Sequence, residues 1–299
     1  MQFALVNGDR QEATPCAVGA CPTCGSGMVA KCGPRIMHHW AHAGRRNCDP
    51  WWENETPWHR EWKNRYPAEC REVSYTAPDG EVHRADIVTP TGIVVEVQHS
   101  AMTDAERLSR EAFYKNLVWV IDGRSFRNNF DIYHPLPDPS SAIAQDLIWI
   151  KAARTAQGAA RGLFYRLSEC RQEDPAVTRA NVRGGWIHGL HDIEDEVNAA
   201  YCGHHQYDWA RPRRTWLDAS APVYIDFGDE SLVRLETYDD SGLACVRLVP
   251  KQEFLQDTMF KRSATPAPRK VEDGKELASA RRRGGIPKRD DRCLQSQSR

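Results

Sequence analysis

Apolar and polar positions change period several times along the chain, and each change marks an element. In residues 53–69, Trp58, Trp62 and Tyr66 recur every four residues among good helix formers, and Pro57 suits a first turn. A helix with one aromatic stripe is expected there. Residues 73–76 read as a short strand, and Asp79-Gly80 as a hairpin turn into a strand over 82–88. Thr89-Pro90-Thr91-Gly92 turns the chain again into the valine-rich stretch 93–98. Thr103 with Glu106 forms a capping box for a helix to about Asn116, and 117–121 follows as a buried strand. The order is helix, three strands in hairpin connection, helix, strand.

Outside this stretch the pattern is weaker. Residues 1–50 are rich in Cys, His and Gly with little periodicity. The Pro-rich break at 136–141 opens a region that reads first as a long helical segment over 142–170. It then reads as a small antiparallel meander over 223–227, 232–237 and 244–249. Residues 261–299 are too polar to bury a core and are expected to be disordered. Four segments result: 1–50, 51–135, 136–260 and 261–299.

Composition narrows the function classes. No run of 18 apolar residues exists, so no membrane span is expected, and the first residues lack the features of a secretory signal. A cytoplasmic protein is expected, in which ten cysteines point to metal binding before disulfides. The net charge of −1 hides a split. Residues 261–299 carry twelve Lys or Arg against five Asp or Glu and leave residues 1–260 at −8. Any attraction to polyanions is therefore expected to be local, through the tail and its Arg281-Arg282-Arg283 and Lys288-Arg289 clusters.

Three groups of residues carry chemistry. Cys21-Pro-Thr-Cys24 supplies a two-thiolate knuckle, and His39-Trp-Ala-His42 supplies two imidazoles that can face one Zn²⁺ from a helical turn or tight loop. A redox CxxC is the alternative, and Cys16, Cys32, His38 and Cys48 are nearby substitute ligands. In the second group, alternation along 84–88 and 93–98 places Asp86 on the face of Val88, and Glu96 on that of Val94 and Gln98. With a loop at 89–93, Val88 pairs with Val94 and Asp86 lies opposite Glu96. Two facing carboxylates repel unless a cation such as Mg²⁺ or Mn²⁺ joins them, and a one-residue slip would undo the pairing. Glu55, His59 and Lys63, four residues apart, form a polar helix face that can turn towards this hairpin or equally be solvated. The third group, His188, His191, Cys202, His204 and His205, has no second CxxC and reads as packed or solvated histidines.

The ordered series Cys21-Pro-x-Cys24, Lys31-x-Gly33, His39-Trp-Ala-His42, Glu55-x3-His59-x3-Lys63, Arg84-x-Asp86, Glu96-x-Gln98-x-Ser100, Arg110-x3-Tyr114 and Val118-Trp119-Val120-Ile121 resembles the competence protein CoiA family over roughly residues 1–125. The resemblance implies an α/β chain. A small zinc-binding segment would precede an αβββαβ core of the PD-(D/E)xK nuclease class, followed here by a C-terminal α+β accessory region. It implies that Asp86 and Glu96 hold a catalytic Mg²⁺ or Mn²⁺. Gln98 then stands where the wider class has lysine, with Lys63 or His59 assisting and Glu55 completing the metal shell. The implied function is divalent-metal-dependent DNA cleavage or processing in uptake or recombination, with DNA and proteins of those processes as partners. Because glutamine cannot act as a base, a non-catalytic DNA-binding accessory is the rival reading. A zinc-dependent protein-interaction module is a third.

Overall fold

The computed structural model describes residues 1–44, 48–49, 51, 55–76 and 80–261. The expected helix start at Glu53, the Asp79 half of the hairpin turn and the basic tail from 262 onward lie outside the described residues. Five short strands open the chain: β1 (Phe3–Val6), β2 (Asp9–Glu12), β3 (Val18–Ala20), β4 (Gly27–Lys31) and β5 (His39–His42). They form an antiparallel sheet in the order β2-β1-β3-β4-β5 over a small core that includes Ala4, Met28 and Trp40.

The next stretch follows the expected order. Helix α1 (Pro57–Asn64) is capped by Thr56, whose side chain accepts from the His59 amide, and it carries Pro57 in its first turn. Strands β6 (Arg71–Thr76), β7 (Val82–Val88) and β8 (Val94–Gln98) run antiparallel to their neighbours in sequence. Helix α2 (Asp104–Phe113) is capped by Thr103, and β9 (Leu117–Asp122) returns parallel to β8. α1 is shorter than its sequence pattern. A separate 3-10 turn at Ala68–Cys70 follows Pro67, which cannot continue the helix's hydrogen bonding.

The remaining elements are β10 (Phe130–Pro137), β11 (Leu147–Trp149), α3 (Gln157–Ala160), β12 (Leu163–Arg166), α4 (Leu167–Glu173), β13 (His188–Gly189), α5 (Glu194–Ala199), β14 (Tyr201–Trp209), α6 (Arg214–Leu217), β15 (Val223–Asp226), β16 (Ser231–Thr237), β17 (Ala244–Pro250) and α7 (Lys251–Phe260). The expected meander corresponds to β15, β16 and β17. The expected long helix over 142–170 is corrected: 147–149 and 163–166 pair with each other as β11 and β12, joined by β13 in a three-stranded sheet. Two short apolar runs on either side of an alanine-rich stretch imitate helical periodicity, but Leu147, Trp149 and Phe164 meet in one core as alternating strand residues.

The larger sheet has nine strands in the order β10-β14-β17-β16-β15-β9-β8-β7-β6. It crosses the expected segment boundary near 136, because β15 pairs in parallel with β9 through Val223↔Trp119 to Asp226↔Asp122. The architecture is α/β with mixed sheets. Two cores lie against the large sheet, one holding Val94, Trp119, Ile225 and Val246, the other joining Trp58 and Trp62 of α1 and Tyr66 just after it to Ile87, Val95, Val120 and Phe254. Buried Asp226 ties α1 to the C-terminal strands by accepting from the indole nitrogens of Trp58 (3.0 Å) and Trp62 (2.8 Å) and pairing with Lys251 at 2.9 Å. Among the described residues no helix is long and apolar enough to cross a membrane.

Two candidate metal centres

The first centre sits on the small sheet. The ligand atoms of Cys21, Cys24, His42 and Cys48 all lie within 4.8 Å of one another, so this group could bind a metal such as zinc. The Cys21 and Cys48 sulfurs are 3.7 Å apart, and Cys24 Sγ is 3.4 Å from His42 Nε2. Tetrahedral zinc with its usual bond lengths puts two sulfurs about 3.8 Å apart and a sulfur and a nitrogen about 3.6 Å apart. These two spacings match such an ion. The Cys48 thiol bonded to Cys21 lowers the Cys21 pKa to about 4 against the effect of burial, and holds the proton on Cys48. A metal would displace that shared proton.

His39 is not in this group, a departure from the expected ligand set. His39 and His42 lie on a strand and not on a helical turn, so three residues of separation send their side chains to opposite faces. The His39 ring bonds instead to the Met37 carbonyl at 2.9 Å. Cys48 takes the fourth place, from a stretch whose six-residue distance to His42 has no standard ligand spacing.

The second centre begins where β7 and β8 part. Their pairing runs through Val88↔Val94 and Ile87↔Val95, the expected register. Beyond it β8 pairs only with β9, through Glu96↔Trp119 and Gln98↔Ile121. Side chains span the gap: the Asp86 amide donates to Glu96 Oε1 (3.2 Å), and the Val97 amide donates to Asp86 Oδ2 (3.1 Å). Asp86 and Glu96 are therefore brought together, and around them one cavity of about 50 Å³ is lined by His59 and Lys63 of α1, Gln98 of β8, Glu72 of β6, Arg110 of α2 and Glu55, which lies before the Thr56 cap and not on the helix face expected for it. That is room for a small ion with water, since one water needs roughly 10–15 Å³ on the same measure.

The charges within this cavity are layered. His59 Nε2 lies 3.3 Å from Asp86 Oδ2, and Arg110 Nη1 donates to Glu96 Oε2 at 2.9 Å. Burial raises the Asp86 pKa, but His59, Lys63 and the Val97 amide outweigh it and hold the carboxyl at about 2. Glu96 goes the other way, to about 8, because burial and the Asp86 charge exceed the help of Arg110. The two carboxyls titrate as a pair, and the protein's own cations do not fully balance them. Lys63 is buried between Glu55 (2.5 Å) and Glu72 (2.9 Å). Burial lowers its pKa, but Glu72, Glu55 and Asp86 together raise it, so the ammonium stays charged.

Several members of this site had no legible signal in the sequence. Glu72 has a left-handed backbone (φ 47°) and a buried carboxylate that accepts from the amides of Gln2 and Phe3 as well as from Lys63. It docks the small sheet on the large one. Asp49, one residue after Cys48, accepts from His83 Nδ1 (3.0 Å) and from the Arg84 amide (2.9 Å). Trp51 stacks on His83 with ring centres 3.2 Å apart, and its carbonyl accepts from Arg110 Nη2 at 3.0 Å. The two centres are thus joined by three residues of chain and one arginine.

The third group does not converge. His188 pairs with Glu169, His191 with Asp192, and His205 with Tyr201, while Cys202 and His204 lie 3.2 Å apart and are engaged in turn by Asp138 and Glu236, so two members meet and the five do not. Among the described residues the Cys21 group alone brings three or more such donors together in a metal-sized cluster. No family model, curated protein or solved structure matches the chain.

Proposed function

We propose that this chain is a divalent-metal-dependent DNA nuclease of the PD-(D/E)xK class, similar to the CoiA family, with a structural zinc beside its nuclease core. The observation that carries this reading is the parted end of β7 and β8, with Asp86 and Glu96 filling the gap and Glu55, His59, Lys63 and Gln98 on the same cavity. The element order helix, three strands, helix, strand is the one this class implies.

Mg²⁺ or Mn²⁺ would be held by Asp86 and Glu96, with Glu55 on the same cavity. The elevated Glu96 pKa supports that fit, because a second cation is what the pair lacks. Such an ion, when bound, activates water and offsets charge on a phosphodiester. The protein's own groups divide the remaining work. His59 orients Asp86, its Nε2 lying 3.3 Å from Asp86 Oδ2, and its imidazole can pass a proton there. Lys63 remains an ammonium and contributes charge, not a base. Gln98 has an amide that can orient water but cannot take its proton.

A non-catalytic DNA-binding accessory is the second reading, favoured by the Arg110 guanidinium already seated on Glu96 and by glutamine at position 98. Cleavage and binding measured on the same preparation separate the two, with single-stranded and duplex DNA in Mg²⁺ and in Mn²⁺. Metal-dependent cutting that Glu96→Gln abolishes supports the nuclease. Binding without cutting in either ion assigns the accessory role.

A further inference from the structure

We propose that a DNA strand leaving the acidic cavity runs along the carboxyl edge of the large sheet, where Arg124, Arg127 and Arg213 hold its phosphates. The proposal rests on the nuclease reading for where the strand begins, and on its own observations for where it goes.

Strands β8, β9 and β15 are parallel neighbours in register, Gln98 beside Ile121 and Asp122 beside Asp226. They end at one edge, the side on which open α/β sheets bind ligands. Gln98 ends β8 in the cavity wall, and His99, the next residue, is 42% exposed and bonds to Asp122 Oδ2 at 2.8 Å. The turn after β9 is tight. A Cβ on Gly123 would stand 2.4 Å from Ile225 and 2.6 Å from the Phe227 ring, so glycine lets the chain deliver Arg124 at this edge.

Each of the three guanidinium groups is held in place. Arg124 is gripped by both Asp122 oxygens (2.9 and 2.6 Å) and lies 5.8 Å from the ring centre of Trp58, the residue before His59. Arg127 lies 5.1 Å from the Phe227 ring and donates to the Phe130 carbonyl. Arg213 lies 4.9 Å from the Phe126 ring and donates to Ser125 Oγ at 3.2 Å. Arg124 shares its charge with Asp122, so Arg127, Arg213 and exposed Arg214 supply most of the field. Ordered arginines lose little freedom on gripping a phosphate, and aromatic rings behind them leave their outer edges for it. On a body of net charge −8 over residues 1–260, such a strip is a local attractor for a polyanion.

The test uses the full chain, a fluorescent single-stranded DNA oligonucleotide and no added divalent cation, with affinity measured between 50 and 200 mM salt. Each lost phosphate contact should lower the slope of log affinity against log salt by about 0.7 for single strands. R127A/R213A should therefore lose about 1.4, and R127K/R213K should retain most of the slope. R171A/R183A, which removes two exposed arginines at α4 and the loop after it, should leave it unchanged. An unchanged slope in folded R127A/R213A, or an equal fall in R171A/R183A, overturns the strip. A wild-type chain that cuts nothing but loses slope in R127A/R213A keeps the strip and removes the nuclease. Cutting with an unmoved slope does the reverse.

Discussion

The Cys/His cluster and the acidic cavity are both compact groups of ligand atoms, yet they are built in opposite ways. The cluster draws all four donors from residues 21–48, on one small sheet and the loops leaving it. The cavity draws its members from α1, β6, β7, β8 and α2, and its two central carboxylates meet only because β7 and β8 part after one defined register. Soft donors on a short stretch announce themselves by type and spacing. Carboxylates have meaning only in three dimensions, because an Asp or Glu on a strand is ordinary until its partner is known.

The largest effect that would break this contrast is complete loss of one metal. Cys48→Ser should remove the bound zinc measured by elemental analysis and unfold residues 1–50, whereas His39→Ala should keep near-equimolar zinc. Retention of zinc in Cys48→Ser together with loss in His39→Ala would return the ligand set to the one expected from sequence.

Next in size is a division of labour on α1. Lys63→Met leaves Glu55 and Glu72 buried without their shared cation, at a cost of about 3–5 kcal/mol in chemical denaturation. His59→Gln should cost little stability and should lower metal-dependent cleavage at unchanged DNA affinity. If Lys63→Met is as stable as the wild type, Lys63 belongs to the chemistry and not to the docking of the two sheets.

This contrast also explains how much could be read beforehand. The β7–β8 register was legible because the Thr-Pro-Thr-Gly loop fixes the pairing and valines mark the buried alternation. The α2 start was legible because Thr103 is a good N-cap and accepts from the Glu106 amide, although the Glu106 carboxylate pairs with Arg110 and does not close the expected capping box. Glu72 was not, since a glutamate among strand residues reads as solvent-facing, and the amides its carboxylate accepts from, those of Gln2 and Phe3, are about seventy residues away in the chain. Cys48 was one of several substitutes, because loop closure and not spacing brings it to Cys21. The continuity of the large sheet past residue 136 was hidden for the same reason: the β9–β15 pairing joins strands about a hundred residues apart.

A smaller effect probes the anchor between α1 and the C-terminal strands. Burial raises the Asp226 pKa, but Lys251, the Gly228 amide and the two indoles outweigh it and hold the carboxyl below its ordinary value. A depressed folded-state pKa gives stability that is fully present above the unfolded value of about 3.9 and lost as pH falls through the folded one. Wild-type stability should therefore drop, as pH falls below about 4, by more than that of Asp226→Asn. Parallel pH curves would mean that Asp226 contributes nothing through its charge.

The smallest expected effect asks whether the two regions act on each other at all. From Cys48 the chain passes through Asp49, bonded to His83 and the Arg84 amide, to Trp51, whose carbonyl accepts from the same Arg110 that grips Glu96. A planar guanidinium bridges Trp51, Glu96 and Glu106 at once, whereas an ammonium is a point charge that cannot keep all three. Arg110→Lys should therefore keep the charge beside Glu96 and lose the bridge, worth about 1 kcal/mol or roughly a five-fold change in Mn²⁺ affinity at the acidic cavity. Zinc content should stay at the wild-type level, because Arg110 touches none of its ligands. Chelating zinc from the wild type should move Mn²⁺ affinity in the same direction, since it frees the segment that holds the Trp51 carbonyl. Unchanged Mn²⁺ affinity in both experiments would make the two centres independent neighbours that merely share a stretch of chain.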